Sequence, residues 1–584
     1  MILQSLCDYY RRQQDELPPP GFERKAIPFV IVLNQDGQLV DIEDTRSDSR
    51  NKKDKGRFFV VPQGVKKTSG IEANLLWDVM GYVLGVVSEA RVAKLDAAKL
   101  EKERMRTRET HAAFIKRIHD VFRDPVSDDG VRSVLAFLEQ GGFDGVFTHS
   151  LWPEMTKSTE PLSFRLDGDL ELICQREAVR RELITKESTN STGLGRCLVT
   201  GEAGLISRLH PAIKGVRGAQ SSGANIISFN FAAACSFGKK QGMNSPVGES
   251  AVFAYTTALN TLLRTDSRQK MLVGEDTFVF WAEKENPAEE LFASWLQPDP
   301  DDPARGVEAI KALYKAPQTG VRLLDQDDTR FFVLGLAPNV ARLSIRLWNV
   351  TTVRELALNI RQHFDDLEII RSERDPEYLS LWRLLIAVAA QGKSENIPPL
   401  LTSEVLRAIL AGTPYPQILL AATLQRIRAE QGHVSYPRAA LLKAVLVRNS
   451  RFRNSLEPEV TVSLDLENLH VGYRLGRLFA VLEKVQEEAH PGLNATIRDR
   501  FYGAASSTPI TVFSNLMKLN KHHLSKIEHK GRAVNLEKLI GEIVDGLTDS
   551  FPAQLSMIEQ GRFAIGYYHQ KQAFYKKAIS DKEE

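Results

Sequence analysis

The spacing of the apolar residues changes near residue 378 of the sequence, and this change limits the folds open to the chain. Up to residue 375, short apolar runs of strand-like character alternate with helical segments and turn-forming residues. Beyond it, strand signals nearly disappear and apolar residues recur at helical spacing, as at Val471, Leu475, Leu478 and Leu482. The sequence therefore predicts an α+β protein, with a mixed α/β N-terminal and central region followed by a C-terminal all-α helical bundle.

The length of 584 residues exceeds what one hydrophobic core supports and suggests about three or four domains. We predict a mixed α/β region over residues 1–375, a helical connector over 376–455 and a bundle of four or five helices over 456–584. Helical periodicity resumes after the breaker-rich segment 448–458, so the tail from about Thr461 is expected to fold independently.

Composition and charge exclude several classes of protein. Hydrophobic residues make up 43% of the chain and charged residues 26%, as in a folded domain. The net charge is only +2, so nucleic-acid binding must come from local basic patches. The four cysteines are far apart, which predicts no zinc site and a reducing compartment. The first residues are not arranged as a signal peptide and no apolar run reaches about 18 residues, so we expect a cytoplasmic protein without membrane contact.

Local patterns predict several secondary-structure elements. Apolar runs on either side of Asn34-Gln35-Asp36-Gly37 predict a β-hairpin. The segment 286–319, with its acidic, proline-containing part 298–303, is interpreted as a surface excursion. Other predicted elements are helices at 1–14, 111–123, 131–140, 251–263 and 351–370, and strands at 57–63, 163–166 and 276–281, with two more joined at Pro338-Asn339.

A first basic loop spans residues 46–74 and contains lysines together with Thr68, Ser69 and Gly70. The apolar spacing after it, from Ile71 to Leu84, predicts an amphipathic helix. Amide groups and the dipole at a helix start attract phosphate. The alternative is a helix capped by Thr68 or Ser69, with its lysines simply in solvent.

A second basic loop spans residues 208–230 and carries Arg208, His210, Lys214 and Arg217 before the run Gly-Ala-Gln-Ser-Ser-Gly at 218–223. Glycine allows close approach of the backbone to a ligand, and cations beside exposed amides suit phosphate. These residues indicate a loop that binds anions or nucleic acid. The alternative is an ordinary connection with a solvated face, since the loop matches no phosphate-binding pattern.

A third basic set lies in the helical tail, at Arg498, Arg500, Lys518, Lys521 and Lys526, with His522 and His523 among them. Cations gathered around one helix start and face can form a groove for phosphates. The alternative is a solvated helix face.

Several stretches together resemble one protein family. Residues 198–202 read LVTGE, residues 208–230 read RLHPAIKGVRGAQSSGANIISFN and residues 251–260 read AVFAYTTALN. These words are similar to those of the large subunit of the type I-C CRISPR interference complex (Cascade). Residues 61–85, 332–348 and 500–526 also resemble that family, so the similarity covers most of the chain.

The resemblance implies a non-catalytic large subunit of an RNA-guided antiviral surveillance complex. Such a subunit recognises the short adjacent motif (PAM) in duplex DNA, helps unwind it, stabilises the displaced strand of the R-loop and helps recruit a helicase-nuclease. The implied partners are guide-RNA-bound Cascade backbone subunits, small subunits and target double-stranded DNA. No cofactor or metal is implied, and the tail resembles the small subunit.

Candidate contacts follow from the three basic segments. Polar groups at fixed reach can read base edges, whereas cations bind phosphates without reading the sequence. The candidate PAM-reading residues are Lys66, Lys67, Thr68, Ser69, Asn74, Gln220, Ser221, Ser222 and Asn225. The candidate phosphate contacts are Lys52, Lys53, Lys55, Arg208, Lys214, Arg217, Arg498, Arg500, Lys518, Lys521 and Lys526.

Two other classes of protein remain as alternatives. One is a metal-dependent nuclease, against which the sequence shows no phosphate-binding glycine loop with lysine and no supported histidine pair for a metal. The other is a stand-alone DNA-binding regulator, against which no helix-turn-helix is recognisable.

Overall fold

The computed structural model describes the chain except for residues 49–50, 52–53, 66, 68–69, 94, 123–127, 186–190, 298–302, 316–326, 454–458, 548–549 and 584. Helices and sheets are mixed in its N-terminal and central parts and the C-terminal region is helical, which confirms the predicted fold class. Apart from the first two residues, the chain divides into two units. The first contains Leu3–Pro211 and Phe229–Ala258, and the second contains Ala212–Ser228 and Leu259–Glu584.

The elements up to residue 262 combine short strands with helices of very different length. The strands are β1 (Phe22–Ala26), β2 (Phe29–Leu33), β3 (Leu39–Asp44), β4 (Phe58–Pro62), β5 (Trp77–Val79), β6 (Pro161–Leu166), β7 (Ser191–Arg196) and β8 (Ala203–Ser207). The helices are α1 (Ile2–Arg12), α2 (Met80–Val83), α3 (Glu89–Val92), α4 (Ala97–Val121), α5 (Asp129–Gln140), α6 (Asp144–Phe147), α7 (Trp152–Met155), α8 (Glu177–Thr185) and α9 (Glu249–Leu262). The strand predicted at 163–166 and the helix predicted at 131–140 are confirmed. The helix predicted at 111–123 is the second half of α4, which ends at Val121, and residue 123 lies outside the described residues.

The main sheet of the first unit has the strand order β3-β2-β6-β5. Strand β2 is buried at every position, pairs antiparallel with β3 and pairs parallel with β6. The β2–β3 turn is the predicted hairpin: the Asn34 side-chain carbonyl accepts hydrogen bonds from the amides of Asp36 and Gln38. Gly37 supplies the positive φ of +78° that this turn requires.

The core of the first unit forms between this sheet and helices α4 and α5. Phe114 on α4 and Phe137 on α5 are buried against Phe164 of β6, with ring centres 6.5 and 6.2 Å apart. The first half of α4 carries charges of alternating sign and is mostly exposed. The sequence on one face of each helix therefore decides which side meets the sheet.

The second unit opens with the antiparallel sheet β12-β11-β10-β9. Its strands are β9 (Lys270–Val273), β10 (Asp276–Ala282), β11 (Arg330–Asn339) and β12 (Arg342–Thr352). Helices α10 (Ala288–Leu296), α11 (Pro303–Lys315) and α12 (Val353–Leu367) follow or interrupt the strands. Helix α12 begins with a capping box, in which Thr352 and Glu355 bond each other's backbone amides.

The interpretation of residues 286–319 as a surface excursion is wrong for the part that is described. Phe292 and Trp295 of α10 are fully buried, and Ile310 of α11 joins the same core as Phe280 and Phe331 of the sheet. The acidic and proline-containing stretch has the composition of a loop, but the apolar residues on both sides of it are spaced to pack on the sheet.

The rest of the second unit is helical, as predicted. The connector helices are α13 (Leu381–Val388), α14 (Leu401–Ala411), α15 (Gln417–Ala429) and α16 (Tyr436–Phe452). The tail helices are α17 (Val471–Ala489), α18 (Ile497–Ser507), α19 (Ile510–Lys526), α20 (Lys530–Asp545) and α21 (Met557–Glu583). Among the helices of the described residues, none is both long and apolar enough to cross a membrane.

Glycines bring α17 and α21 unusually close together. A Cβ atom added to Gly476 would lie 2.0 Å from the carbonyl oxygen of Phe563, and one added to Gly566 would lie 2.1 Å from that of Tyr473. A Cβ atom added to Gly472 would likewise lie 2.2 Å from the carbonyl oxygen of Glu559. Any larger side chain at these positions would push the two helices apart, so small residues set the distance between the helices.

The tail and the connector share one hydrophobic core. Phe479 of α17 and Phe563 of α21 belong to the same buried cluster as Leu442 of α16. The Tyr568 hydroxyl donates a hydrogen bond to the carbonyl of Ile370, at 2.9 Å. The predicted boundaries at 375/376 and 455/456 both lie inside the second unit, and independent folding of the tail stays a prediction.

Two buried histidines of the second unit face tyrosines. The Nδ1 atom of His363 lies 2.6 Å from the Tyr415 hydroxyl, and that of His569 lies 2.9 Å from the Tyr473 hydroxyl. Burial, reinforced by the Arg448 charge, lowers the pKa of His363 to about 3. Burial, reinforced by the Lys443 charge, lowers the pKa of His569 to about 3. Both rings are therefore neutral in the folded protein at neutral pH.

We expect the free energy of unfolding to fall as the pH drops below about 6.5, the ordinary pKa of histidine, because the unfolded chain then binds protons that the folded chain excludes. The loss is about 1.4 kcal/mol per pH unit for each histidine. Urea unfolding of the His569→Gln variant between pH 7 and 5 should show a correspondingly shallower dependence on pH. The exposed His529 is the control: an equal change of slope in His529→Gln would contradict the assignment.

Candidate nucleic-acid interface

The segment after the first basic loop is not the predicted amphipathic helix. Leu76 has a φ of +62°, which no helix accommodates, and β5 begins at the next residue. Strand β5 pairs antiparallel with β6, and the Trp77 indole N–H donates a hydrogen bond to the Pro62 carbonyl. Helix α2 starts only at Met80 and has four residues. The apolar spacing fits a helix face, but pairing with a strand more than 80 residues away decides the conformation.

Lys67 and Asn74 are held by a buried carboxylate. The Lys67 ammonium lies 2.6 Å from both carboxylate oxygens of Asp78 and 3.5 Å from the centre of the Tyr82 ring. Asn74 is buried. Its backbone N–H donates a hydrogen bond to the Asp78 carboxylate, and its side-chain carbonyl accepts one from the Val65 backbone amide. These bonds favour a positioning role for Lys67 and Asn74, because their polar groups hold the loop together.

Of the remaining candidates in the first loop, Lys55 is described and exposed. Its ammonium lies 2.9 Å from a carboxylate oxygen of Glu160. Such a surface ion pair contributes only about 0–1 kcal/mol, so a phosphate can replace the carboxylate at little cost. The other candidates, Lys52, Lys53, Lys66, Thr68 and Ser69, lie outside the described residues.

The second basic loop passes through both units: residues 208–211 and 229–230 belong to the first and residues 212–228 to the second. In the second unit the loop is tied down on both sides of residues 218–223. The Lys214 and Arg217 amides donate to the side chains of Asn260 and Thr277, at 2.8 and 3.0 Å. On the other side, Asn225 exchanges backbone hydrogen bonds with Ala341 and Leu343 at the tip of the β11–β12 hairpin.

The six residues between these anchors form an exposed polar tip. Ile213 and Ala224 close its base by two backbone hydrogen bonds. Gly223 adopts a φ of +91°, and a Cβ atom at this position would lie 2.7 Å from the Ile213 carbonyl oxygen. The side chains of Gln220, Ser221 and Ser222 are exposed. The structure thus brings three of the candidate PAM-reading residues together on one short, anchored turn, while Asn225 lies at its base.

The basic side chains of the second loop differ in their hydrogen bonds, exposure and charge, and therefore in how well they can bind a phosphate. The Arg217 guanidinium donates to the Gly274 carbonyl and the Arg208 guanidinium to the Gln241 side chain. Lys214 is exposed at the surface. Burial lowers the pKa of His210 to about 4, with its Nδ1 atom 2.6 Å from the Tyr255 hydroxyl. His210 is therefore neutral at neutral pH and adds no positive charge for phosphate.

A further basic segment, at residues 229–245 of the first unit, was not among the sequence candidates. Lys239 and Lys240 are exposed there, next to the exposed Phe237. A sequence signal was present: residues 203–248 contain no Asp or Glu but hold Arg208, Lys214, Arg217, Lys239 and Lys240. The small net charge of the whole chain hides this local run.

The tail presents an exposed basic face on α19. Lys518, Lys521 and Lys526 are exposed, as is Arg500 on α18. Arg498 is only partly exposed and pairs with Asp499 at 3.1 Å, so its charge is already compensated. Burial, together with the His490 and Lys526 charges, lowers the pKa of His523, so this side chain is harder to protonate than an ordinary histidine.

No group of three or more metal-ligating side chains is assembled in the part of the chain that the structure describes. The exposed groups are amides, hydroxyls, ammonium groups and guanidinium groups. This chemistry suits hydrogen bonding to base edges and electrostatic binding to phosphates.

The protein-family model described as CRISPR-associated protein (Cas_Csd1) matches residues 6–575. A comparison with curated proteins finds no match. The matched range contains the first and second basic loops, the segment 229–245 and the basic face of α19. The family match therefore covers each of these candidate segments.

Proposed function

The chain belongs to the Cas_Csd1 family of CRISPR-associated proteins, and on this premise we propose that it is the non-catalytic large subunit of a type I-C Cascade. In this proposal the subunit assembles with guide-RNA-bound backbone subunits and small subunits in the cytoplasm. It recognises the PAM in target double-stranded DNA, helps unwind the duplex, stabilises the displaced strand and helps recruit the helicase-nuclease. Base pairing with the guide reads the remaining sequence.

The observation that carries the proposal is the anchored tip at residues 218–223. Reading a base edge requires a donor or acceptor held at a fixed distance from the groove. Gln220, Ser221 and Ser222 offer such groups on a turn whose two flanks are bonded to strands and to helix α9. Because the turn is ordered before binding, little conformational entropy is lost when it meets DNA.

Exposed cations in each unit would bind phosphates without reading sequence. Lys214 stands beside the tip in the second unit, and Lys55 of the first unit makes only a surface ion pair. Contacts of this kind fix the orientation of the duplex, so a few polar side chains suffice for specificity.

In the tail, the exposed lysines of α19 are proposed to follow the backbone of the displaced strand. A groove of positive charge binds single strands through phosphate contacts and without sequence preference. This role agrees with the likeness to the small subunit that the family resemblance implies for residues 456–584.

We expect Gln220→Ala to weaken binding of the assembled complex to PAM-bearing duplex by roughly five- to a hundredfold, because a good contact to a base edge contributes about 1–3 kcal/mol. Binding to a target already opened at the PAM should be preserved. The measurement is titration of both substrates at one salt concentration by electrophoretic mobility shift.

The matched control is Gln140→Ala, which removes an exposed glutamine at the end of α5 and should change neither affinity. Equal losses by Gln220→Ala on both substrates would contradict PAM reading. Incubation of the purified chain with DNA and Mg²⁺ or Mn²⁺ tests the nuclease alternative, and reproducible cleavage would overturn the non-catalytic assignment.

A further inference from the structure

An exposed aromatic side chain stands at the tip of the segment 229–245. Phe237 is 98% exposed. Its φ is +54° and that of Gly238 is +70°, while the Lys239 amide donates a hydrogen bond to the Ser236 carbonyl. These features define a tight turn with positive φ at both central residues. Asn, Asp or Gly normally occupies the first of these positions, and a bulky side chain there is rare.

The turn is ordered by an asparagine beneath it. The Asn244 side-chain amide donates to the carbonyls of Lys239 and Gln241, at 3.2 and 3.0 Å, and its carbonyl accepts from the Ser236 amide. The Gly242 amide donates to the Arg208 carbonyl. The Phe237 ring therefore extends into solvent from a turn that hydrogen bonds hold in place.

Positive charge accompanies the ring. Lys239 and Lys240 follow it directly, both exposed, and neither makes an ion pair with a described residue. The nearest acidic residues in the sequence are Glu202 and Glu249, so no nearby carboxylate along the chain compensates these lysines. A flat apolar ring beside two exposed ammonium groups matches the two parts of a nucleotide, the base and the phosphate.

We propose that Phe237 is a stacking platform for an unpaired nucleobase, with Lys239 and Lys240 binding the flanking phosphates. A paired base shows only its edges to a protein, so the ligand is single-stranded nucleic acid. The inference deepens the proposed function, since opening of the duplex beside the PAM supplies such a base. It differs from PAM reading because it requires no sequence and no duplex.

The local charge favours a nucleic-acid ligand over a protein partner. A docking site for protein is typically a wide apolar patch with few lysines at its centre. Here the lysines adjoin the ring itself, and the turn exposes a single large side chain at its tip. Docking to a protein is the competing outcome of the experiment.

The test is binding of the full chain to a single-stranded oligonucleotide that contains 2-aminopurine, whose fluorescence changes when it stacks. We expect Phe237→Ala to weaken binding by roughly five- to a hundredfold and to abolish the fluorescence change, since base–aromatic stacking is worth about 1–3 kcal/mol. Phe237→Trp should retain both. Phe237→Asn should lose both while the thermal midpoint stays equal or rises, because Asn fits the turn better than Phe.

The control is Leu170→Ala, which removes an equally exposed apolar side chain, 98%, flanked by Asp169 and Glu171. Unchanged binding by Phe237→Ala, or full retention by Phe237→Leu, would overturn the stacking assignment. The first result would favour an apolar protein contact, and the second would show that any apolar side chain suffices for DNA binding. Gln220→Ala leaves this assay unaffected if both proposals hold. The two proposals are tested by different measurements, PAM discrimination in duplex binding and stacking in the fluorescence assay. A result that contradicts one proposal therefore leaves the other unaffected.

Discussion

Replacement of Arg448 by methionine is expected to lower the free energy of unfolding by about 3 kcal/mol. Arg448 on α16 and Asp366 on α12 are both fully buried, and the guanidinium Nε lies 2.8 Å from a carboxylate oxygen. The same guanidinium donates to the carbonyls of Ala408 and Thr413. Removing it leaves these acceptors and part of the carboxylate without partners in an apolar interior, which is costly.

The expected loss is placed at the lower end of the range of about 3–5 kcal/mol for breaking a buried ion pair, because Arg451 still pairs with Asp366. Arg451 also provides the control. It bonds the same carboxylate but is 40% exposed, so Arg451→Met should cost no more than about 1 kcal/mol. Both values come from urea unfolding at pH 7, and equal losses in the two variants would contradict the role assigned to burial.

Reversal of charge at Lys518, Lys521 and Lys526 together is expected to weaken binding of single-stranded DNA by a hundredfold or more at low salt, an order-of-magnitude expectation for three lost phosphate contacts. The slope of log affinity against log salt should fall by about 2, because each single-strand phosphate contact contributes about 0.7. All sequences should be affected alike, since phosphate contacts do not read bases. The measurement is a salt titration of oligonucleotide binding by the full chain.

The matched control reverses the exposed Lys99, Lys102 and Lys116 on α4. Each triple variant replaces three positive charges by three negative ones, so net charge changes equally. Similar losses in the two variants would show that net charge alone governs binding, and the basic face of α19 would then have no specific role.

Much of the fold follows from local patterns. The β2–β3 hairpin depends on an Asn-Gln-Asp-Gly turn whose side-chain and backbone bonds lie within five residues. Helix α12 lies within the predicted range 351–370 and begins at a local Thr-x-x-Glu sequence, and the tail helices follow their apolar spacing. In each case the residues that decide the conformation are neighbours in the chain.

The candidate interface was predicted less completely. The sequence identified the loop with Gln220, Ser221 and Ser222 and the lysines of α19, which the structure finds exposed. It did not single out Lys239 and Lys240, although the lack of acidic residues around them was visible. It also could not show that Asn74 is buried, since polar residues in loops are usually at the surface.

The sequence by itself determined the α+β class, the helical tail and the basic loops, because periodicity, turn residues and charge act over a few positions. Only the tertiary structure decided that Trp77 starts a strand, that Phe292 and Trp295 are core residues and that Phe237 projects into solvent. Strand pairing and burial depend on residues far apart in the chain, such as β5 with β6, and the local pattern does not contain that partner.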